Sequence, residues 1–268
     1  MIIASGNYYA PSSKEDAEKG FLTATAASGA IMATLPLFSK PFLHQMKKEQ
    51  VNNQQYKDAF IKSFQTSGLA EEGVKIQHRT YTLNDLAKLG TGQEKEIIQK
   101  DIKEGLNACY APDLKEIHLN LNKAAISGFH EAGHALNHLN SKFGNFLQKL
   151  RAPGYAVAAL MGTVALFSRK KPKENDSGIV DFVQNNCGKI AFAALLPTVA
   201  EEAMASHKGI KLARAGGLGE AAIKNLKKFY GKALLSYAGY AIATGLSVGV
   251  ANKIMQHYTR PKKVESSL

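Results

Sequence analysis

The chain has 268 residues, 45% of them hydrophobic and 21% charged, which is enough apolar material to bury a core and excludes a disordered composition. The net charge is +12, but the lysines sit in helix-like, apolar-flanked segments without an aromatic-interleaved basic stripe, so an anionic membrane face is expected as partner and nucleic acid is not. Two cysteines, Cys109 and Cys187, with no CxxC, exclude a disulfide framework and fit a reducing compartment.

The first twenty residues lack a basic region followed directly by an apolar core and do not read as a cleaved signal peptide. Phe21 to Phe38 is apolar and rich in Ala, Thr and Gly, and it dominates an N-terminal segment, 1–43. A polar region, 44–151, follows. It opens with a helical pattern from His44 to Thr66. A short helix is expected at Thr82–Leu89, capped by Thr82 or Asn84, and another near Glu94–Leu106. A short strand and turn begin at Asn107. Glu116 to Leu121 alternates polar and apolar, a strand signal. Asn122 is the expected N-cap of one long helix reaching Leu150.

Residues 152–206 form an apolar pair: Ala152–Ser168, uncharged and ending on the basic run Arg169-Lys170-Lys171, and the shorter Gly188–Ala200. Residues 207–268 hold a basic linker from His207 to Lys232, a last apolar segment and a tail. That last segment, Ala233–Ala251, spans about one membrane thickness as a helix, at ~1.5 Å per residue against ~30 Å of hydrocarbon. Its Gly239, Gly245 and Gly249 are the small residues that membrane helices pack with. The competing reading is a set of buried helices in a water-soluble core.

Residues 128–138 read Gly-Phe-His-Glu-Ala-Gly-His-Ala-Leu-Asn-His. On a helix, positions i and i+4 share a face, so His130 and His134 can hold one metal ion together. Neutral imidazole is a good ligand for zinc. Glu131, beside the first ligand, can reach a metal-activated water and take its proton. This is the physical content of an HExxH motif.

A catalytic zinc needs a third protein ligand and an open position. His138 extends the motif by another turn, but a straight helix does not easily bring three successive turns onto one ion. The metzincin spacing also fails, because Asn137 and Asn140 occupy the positions that require Gly and His. His138 is therefore either an orienting residue behind the ligands or an exposed one. The better third ligand is an acid at Glu201-Glu202, on a second helix that would cross the first.

Asn107-Ala-Cys-Tyr, Ile117-His-Leu-Asn and the His130–His134 helix together resemble the membrane-associated gluzincins, including the CAAX prenyl endopeptidases and bacterial heat-shock membrane peptidases. The resemblance covers roughly Asn107 to His207. It implies a mainly α fold with a small hairpin or sheet, a zincin-like core joined to hydrophobic, transmembrane helices. The family's downstream E-x-x-A-D motif is matched by Glu202-Ala-Met-Ala205-Ser206, with Ser in place of Asp. The resemblance thus implies Glu202 as third ligand, with Glu201 the runner-up, Ser206 as a weaker hydrogen-bonding substitute for an orienting carboxylate, and His207 as an oxyanion stabiliser.

These readings lead to an expected zinc endopeptidase that acts on a protein or peptide substrate in or at a membrane. Lys208, Lys211, Arg214, Lys224, Lys227 and Lys228 argue for an active site on the cytoplasmic face, whereas the run at Arg169 argues against that topology. The alternatives are a zinc-binding scaffold without hydrolysis and a helical membrane protein without metal.

Overall fold

A computed structural model describes residues 9–10, 12–78, 108–169, 178–260 and 262–263. In chain order the elements are β1 (Tyr9–Ala10), α1 (Lys14–Met32), α2 (Leu35–Glu49), a tight turn of helix (Gln50–Asn52), α3 (Asn53–Thr66), β2 (Lys75–His78), β3 (Ala108–Ala111) and β4 (Glu116–Leu119). Then come α4 (Ala125–Asn140), α5 (Lys142–Leu166), α6 (Gly178–Ala215), α7 (Glu220–Tyr258) and β5 (Lys262–Lys263). The fold is mainly helical with a small mixed sheet, as expected. The helices anticipated at Thr82–Leu89 and Glu94–Leu106 lie outside the described residues.

The chain divides into two compact units: one holds the described residues of Met1–Pro36, Arg151–Leu196 and Ala238–Leu268, the other those of Leu37–Leu150 and Pro197–Tyr237. The second unit carries the HExxH helix, α4. Its sheet has the order β2-β4-β3, with β2 parallel and β3 antiparallel to β4. The strand read from the alternation at Glu116 is β4, the central strand, which buries His118 along with Ile117 and Leu119, His118 pairing with Glu116 at 3.0 Å.

Large side chains fill the core of this unit. Tyr56 and Phe60 of α3, Phe129 of α4 and Phe229 of α7 are all essentially inaccessible. Phe60 meets Phe129 edge-on, with centroids 5.4 Å apart. Burying such a ring contributes about 1.5–3 kcal/mol, and the contact packs α4 against α3.

The other unit is packed differently. Its buried positions are mostly small, Ala24, Ala165, Cys187, Ala191 and Ala241 among them, although Leu195, Met161 and Met255 are buried too. Its large apolar residues, including Leu22, Leu160, Phe167, Ile179 and Phe182, are exposed. Helices approach backbone to backbone. A Cβ on Gly154 of α5 would lie 2.2 Å from the Ala194 carbonyl oxygen of α6, and one on Gly188 would lie 2.6 Å from the Gly245 oxygen of α7. Two stretches, Lys14–Thr66 and Glu220–Tyr258, are long and apolar enough to cross a membrane.

Two local expectations are corrected. The helix read from Asn122 to Leu150 starts at Ala125 and breaks at Ser141, whose backbone is extended. Asn122 is no cap; its side-chain oxygen accepts a hydrogen bond from Lys57. The basic linker at His207–Lys232 is nearly all helix. The chain turns only around Gly216–Gly219, where Gly217 has φ +90° and Gly216 abuts the Ala59 carbonyl.

Candidate metal centre

Three elements build the site. The first, α4, has no capping side chain of its own at Ala124. Asn53 of α3 substitutes: its Oδ1 accepts from the Ala125 amide at 2.9 Å while its Nδ2 donates to the Leu121 carbonyl at 2.8 Å. One of the orphan amides at the start of the helix is thereby satisfied from a distant helix. Tyr230 of α7 donates to the Ile126 carbonyl, and Lys208 of α6 to the Leu136 carbonyl, both at 3.0 Å.

The second element is α6, which crosses α4 closely. A Cβ on Gly133 would lie 2.1 Å from the Ala205 carbonyl oxygen, and one on Gly209 would lie 2.6 Å from the Phe129 oxygen. Real Cβ atoms do not approach that near, so both crossings require glycine. Gly133 is an interior residue of the motif itself. Its absent side chain lets Glu202 reach the two imidazoles.

His130 Nε2 lies 2.9 Å from Glu202 Oε2, His134 Nε2 lies 3.0 Å from His130 Nε2, and His134 Nε2 lies 3.5 Å from Glu202 Oε2. All three donor atoms fall within 4.8 Å of one another. A tetrahedral zinc with bonds of about 2.0–2.1 Å spaces its ligands by about 3.3 Å, so the triangle fits.

The outer nitrogens strengthen the case. His134 Nδ1 bonds Glu201 Oε1 at 2.8 Å, and His130 Nδ1 faces Ser206 Oγ at 3.2 Å. These partners favour protons on both Nδ1 atoms, which turns two Nε2 lone pairs and a carboxylate toward one point. Such a cluster is repulsive without a cation or a proton. Burial disfavours charge on His134, but hydrogen bonds to Glu201 and Glu202 outweigh it and raise its pKa from 6.5 to about 10. Burial likewise opposes charge on Glu202, yet the two histidines hold its carboxyl well below the usual range.

The third element is α5. The break at Ser141 lets it start afresh, with Ser141 Oγ accepting from the Gly144 amide at 3.0 Å. Gln148 then comes back to the site and donates both to the His134 carbonyl at 2.8 Å and to Glu201 Oε1 at 2.9 Å. Asn137 donates to the same Glu201 oxygen at 2.9 Å. Glu201, fully buried, is thus held by His134, Asn137 and Gln148.

The histidines of α4 and the acids of α6 therefore come together. Glu202 joins the ligand triangle, and Glu201 stands behind His134. The carboxylate that Ser206 lacks is supplied from the other side of the cluster. His138 stays outside the triangle: its Nδ1 faces the Tyr110 hydroxyl of β3 at 2.9 Å. Burial and the nearby Lys115 and Lys149 hold its pKa down. His207 is exposed on α6 and does not line the cavity beside the ligands. That cavity, of about 210 Å³, is lined by Glu131, His130, Ser127 and Tyr230 and by apolar groups that include Phe42, Met46 and Phe229. Asn53, Gln148 and Tyr230 had no motif to announce them. Asn137 stood only as a mismatch to the metzincin spacing.

No protein-family model matches the chain, and no curated protein or solved structure matches it.

Proposed function

We propose that the protein is a zinc endopeptidase of the membrane-gluzincin kind, acting on protein or peptide substrates in or at a membrane. The observation that carries this reading is the buried triangle of His130, His134 and Glu202 with Glu131 lining the adjoining cavity. Nitrogen and carboxylate donors at tetrahedral spacing suit zinc. Bound zinc supplies Lewis-acid polarisation of the scissile carbonyl and acidifies water toward a pKa of ~7.

The chain's own residues do the rest. Glu131 follows a ligand directly and takes the proton of the attacking water, then returns it to the leaving amine nitrogen. Glu201 and Ser206 orient the imidazoles and keep their Nε2 lone pairs inward. Phe42, Met46 and Phe229 wall the cavity, exclude bulk water and favour an apolar side chain next to the cleaved bond. The membrane part of the reading rests on the unit whose large apolar residues face outward, and on the two stretches long enough to span.

Metal analysis of purified protein is expected to give one zinc per chain. Glu131→Gln is expected to keep that zinc and lower hydrolysis of an unstructured protein substrate by about 10²–10⁴-fold. Unchanged hydrolysis in Glu131→Gln would sink the mechanism. Zinc bound with no hydrolysis by the wild type would favour a scaffold.

A further inference from the structure

We propose that the apolar unit binds one anionic phospholipid, with an acyl chain in the groove between α6 and α7 and the phosphate at Lys189 and Lys253. This rests on the membrane reading above. The groove has a volume of about 610 Å³. Phe192, Ile242, Leu246 and Gly245 line its apolar part, and Asn185, Lys189, Asn252 and Lys253 line its polar part.

The antiparallel pairing of the two helices separates these parts. Asn252 donates to the Gln184 carbonyl, Gly188 meets Gly249, and Gly245 meets Phe192. The polar groups therefore gather toward the start of α6 and the end of α7, with the hydrocarbon walls one or two turns further along. No ion pair from a described residue reaches either lysine.

A second cavity of the same unit repeats the pattern. It holds about 440 Å³ beside Phe21, Leu22, Leu166 and Phe167, with Lys14, Glu18 and Arg169 among its lining, Glu18 pairing with Lys14 at 3.8 Å. The start of α1, the end of α5 and the end of α7 meet there, since Met255 and Thr259 also line it. At one end of the apolar unit Lys189, Lys253 and Arg169 thus stand beside hydrocarbon-lined grooves, which is complementary to anionic headgroups over acyl chains.

A partner helix fits the α6–α7 groove less well. The glycines that would receive it are already spent on each other, Gly188 against Gly245 and Gly249. A spanning helix about 10 Å across and 30 Å long also fills about 2,400 Å³, several times the groove. Each lysine near a membrane surface favours anionic over neutral lipid by about fivefold. Partial screening reduces the product of the two to about tenfold.

The test uses the full-length, zinc-loaded protein in detergent, equilibrated with equal amounts of phosphatidylglycerol and phosphatidylcholine and analysed by native mass spectrometry. One phosphatidylglycerol per chain is expected, retained about tenfold over phosphatidylcholine. The double variant Lys189→Gln/Lys253→Gln should bring that ratio near one with zinc content unchanged. Leu246→Trp, which fills the groove, should remove retained lipid of both kinds. Equal retention of the two lipids by the wild type, or an unchanged ratio in the double variant, overturns the anionic site even for a protein that partitions into membranes. A chain that stays soluble and monodisperse without detergent overturns the membrane reading, and this site with it.

Discussion

In the unit that holds the metal centre, Tyr56, Phe60, Phe129 and Phe229 face inward. In the other, mostly alanines and glycines are buried, with Leu195, Met161 and Met255, while Leu22, Phe167, Ile179 and Phe182 are exposed. Both arrangements satisfy the backbone with helices, but they bury side chains of different size. Water drives large apolar side chains into a core. Where the surroundings are themselves apolar, that drive vanishes, and helices associate through close backbone approach and van der Waals contact. Polar groups are buried in both units, Ser168, Asn252 and Thr259 in the apolar one. Glu201, Glu202, His134 and Asn137 are buried in the aromatic unit, where each finds a partner.

The comparison can be broken by changing volumes in opposite directions. Removing volume should damage the aromatic unit most. Phe129→Ala is expected to cost about 3–5 kcal/mol, the range for emptying a buried aromatic site, measured by denaturant unfolding of the metal-loaded protein. Adding volume should damage the apolar unit. Gly188→Val places a side chain against the Gly245 carbonyl and the Gly249 backbone and is expected to cost about 1–3 kcal/mol of overpacking, read as a lowered melting temperature in detergent. A smaller loss for Phe129→Ala than for Gly188→Val would contradict the assignment of packing modes.

Within the metal centre, Glu201→Gln keeps the shape but removes the charge behind His134. Zinc affinity should fall about 10–100-fold, as measured by competition with a chelating dye. An unaltered affinity would show that the charge of Glu201 contributes nothing and that its hydrogen bond to His134 Nδ1 suffices.

The pH dependence is a finer probe. In the metal-free protein the pKa of His134 rises from 6.5 to about 10, so its contribution to stability is fully present below pH 6.5 and is lost as pH rises through about 10. Glu201 and Glu202 are shifted down from 4.5, so their contribution is present above pH 4.5 and fades as pH falls further. Metal-free stability should therefore be greatest between these limits. Zinc competes with the proton on His134, so its uptake should release a proton and strengthen from pH 6 to 8. Calorimetry in buffers of different ionisation enthalpy measures that proton. The smallest effect belongs to the exposed face of the apolar unit: Leu246→Ala should change stability by less than about 0.5 kcal/mol.

Helical periodicity alone put His130 and His134 on one face, because residues four apart stack on a helix. The same local logic made the mainly α fold, the two strands around the turn at 112–115 and the long apolar segments legible. Helix ends were less legible. Asn122 is a good capping residue by type, but the cap came from Asn53, 72 positions before Ala125 in the chain. A capping preference is local, and a side chain from another helix overrides it without leaving a nearby signal. The long basic linker was misread for a related reason: lysines at helical spacing suit a helix once one of its faces has a core to bury against.

The sequence by itself determined that two imidazoles would share a helix face, since 3.6 residues per turn admit no other placement for His130 and His134 once that segment is helical. It also determined that acids would follow at 201 and 202. Only the tertiary structure decided what each acid does. Adjacent helical residues point about 100° apart, so one crossing geometry cannot aim both at the same point. The close approach at Gly133 and Gly209 turned Glu202 toward the Nε2 atoms and left Glu201 to Asn137, Gln148 and the far nitrogen of His134.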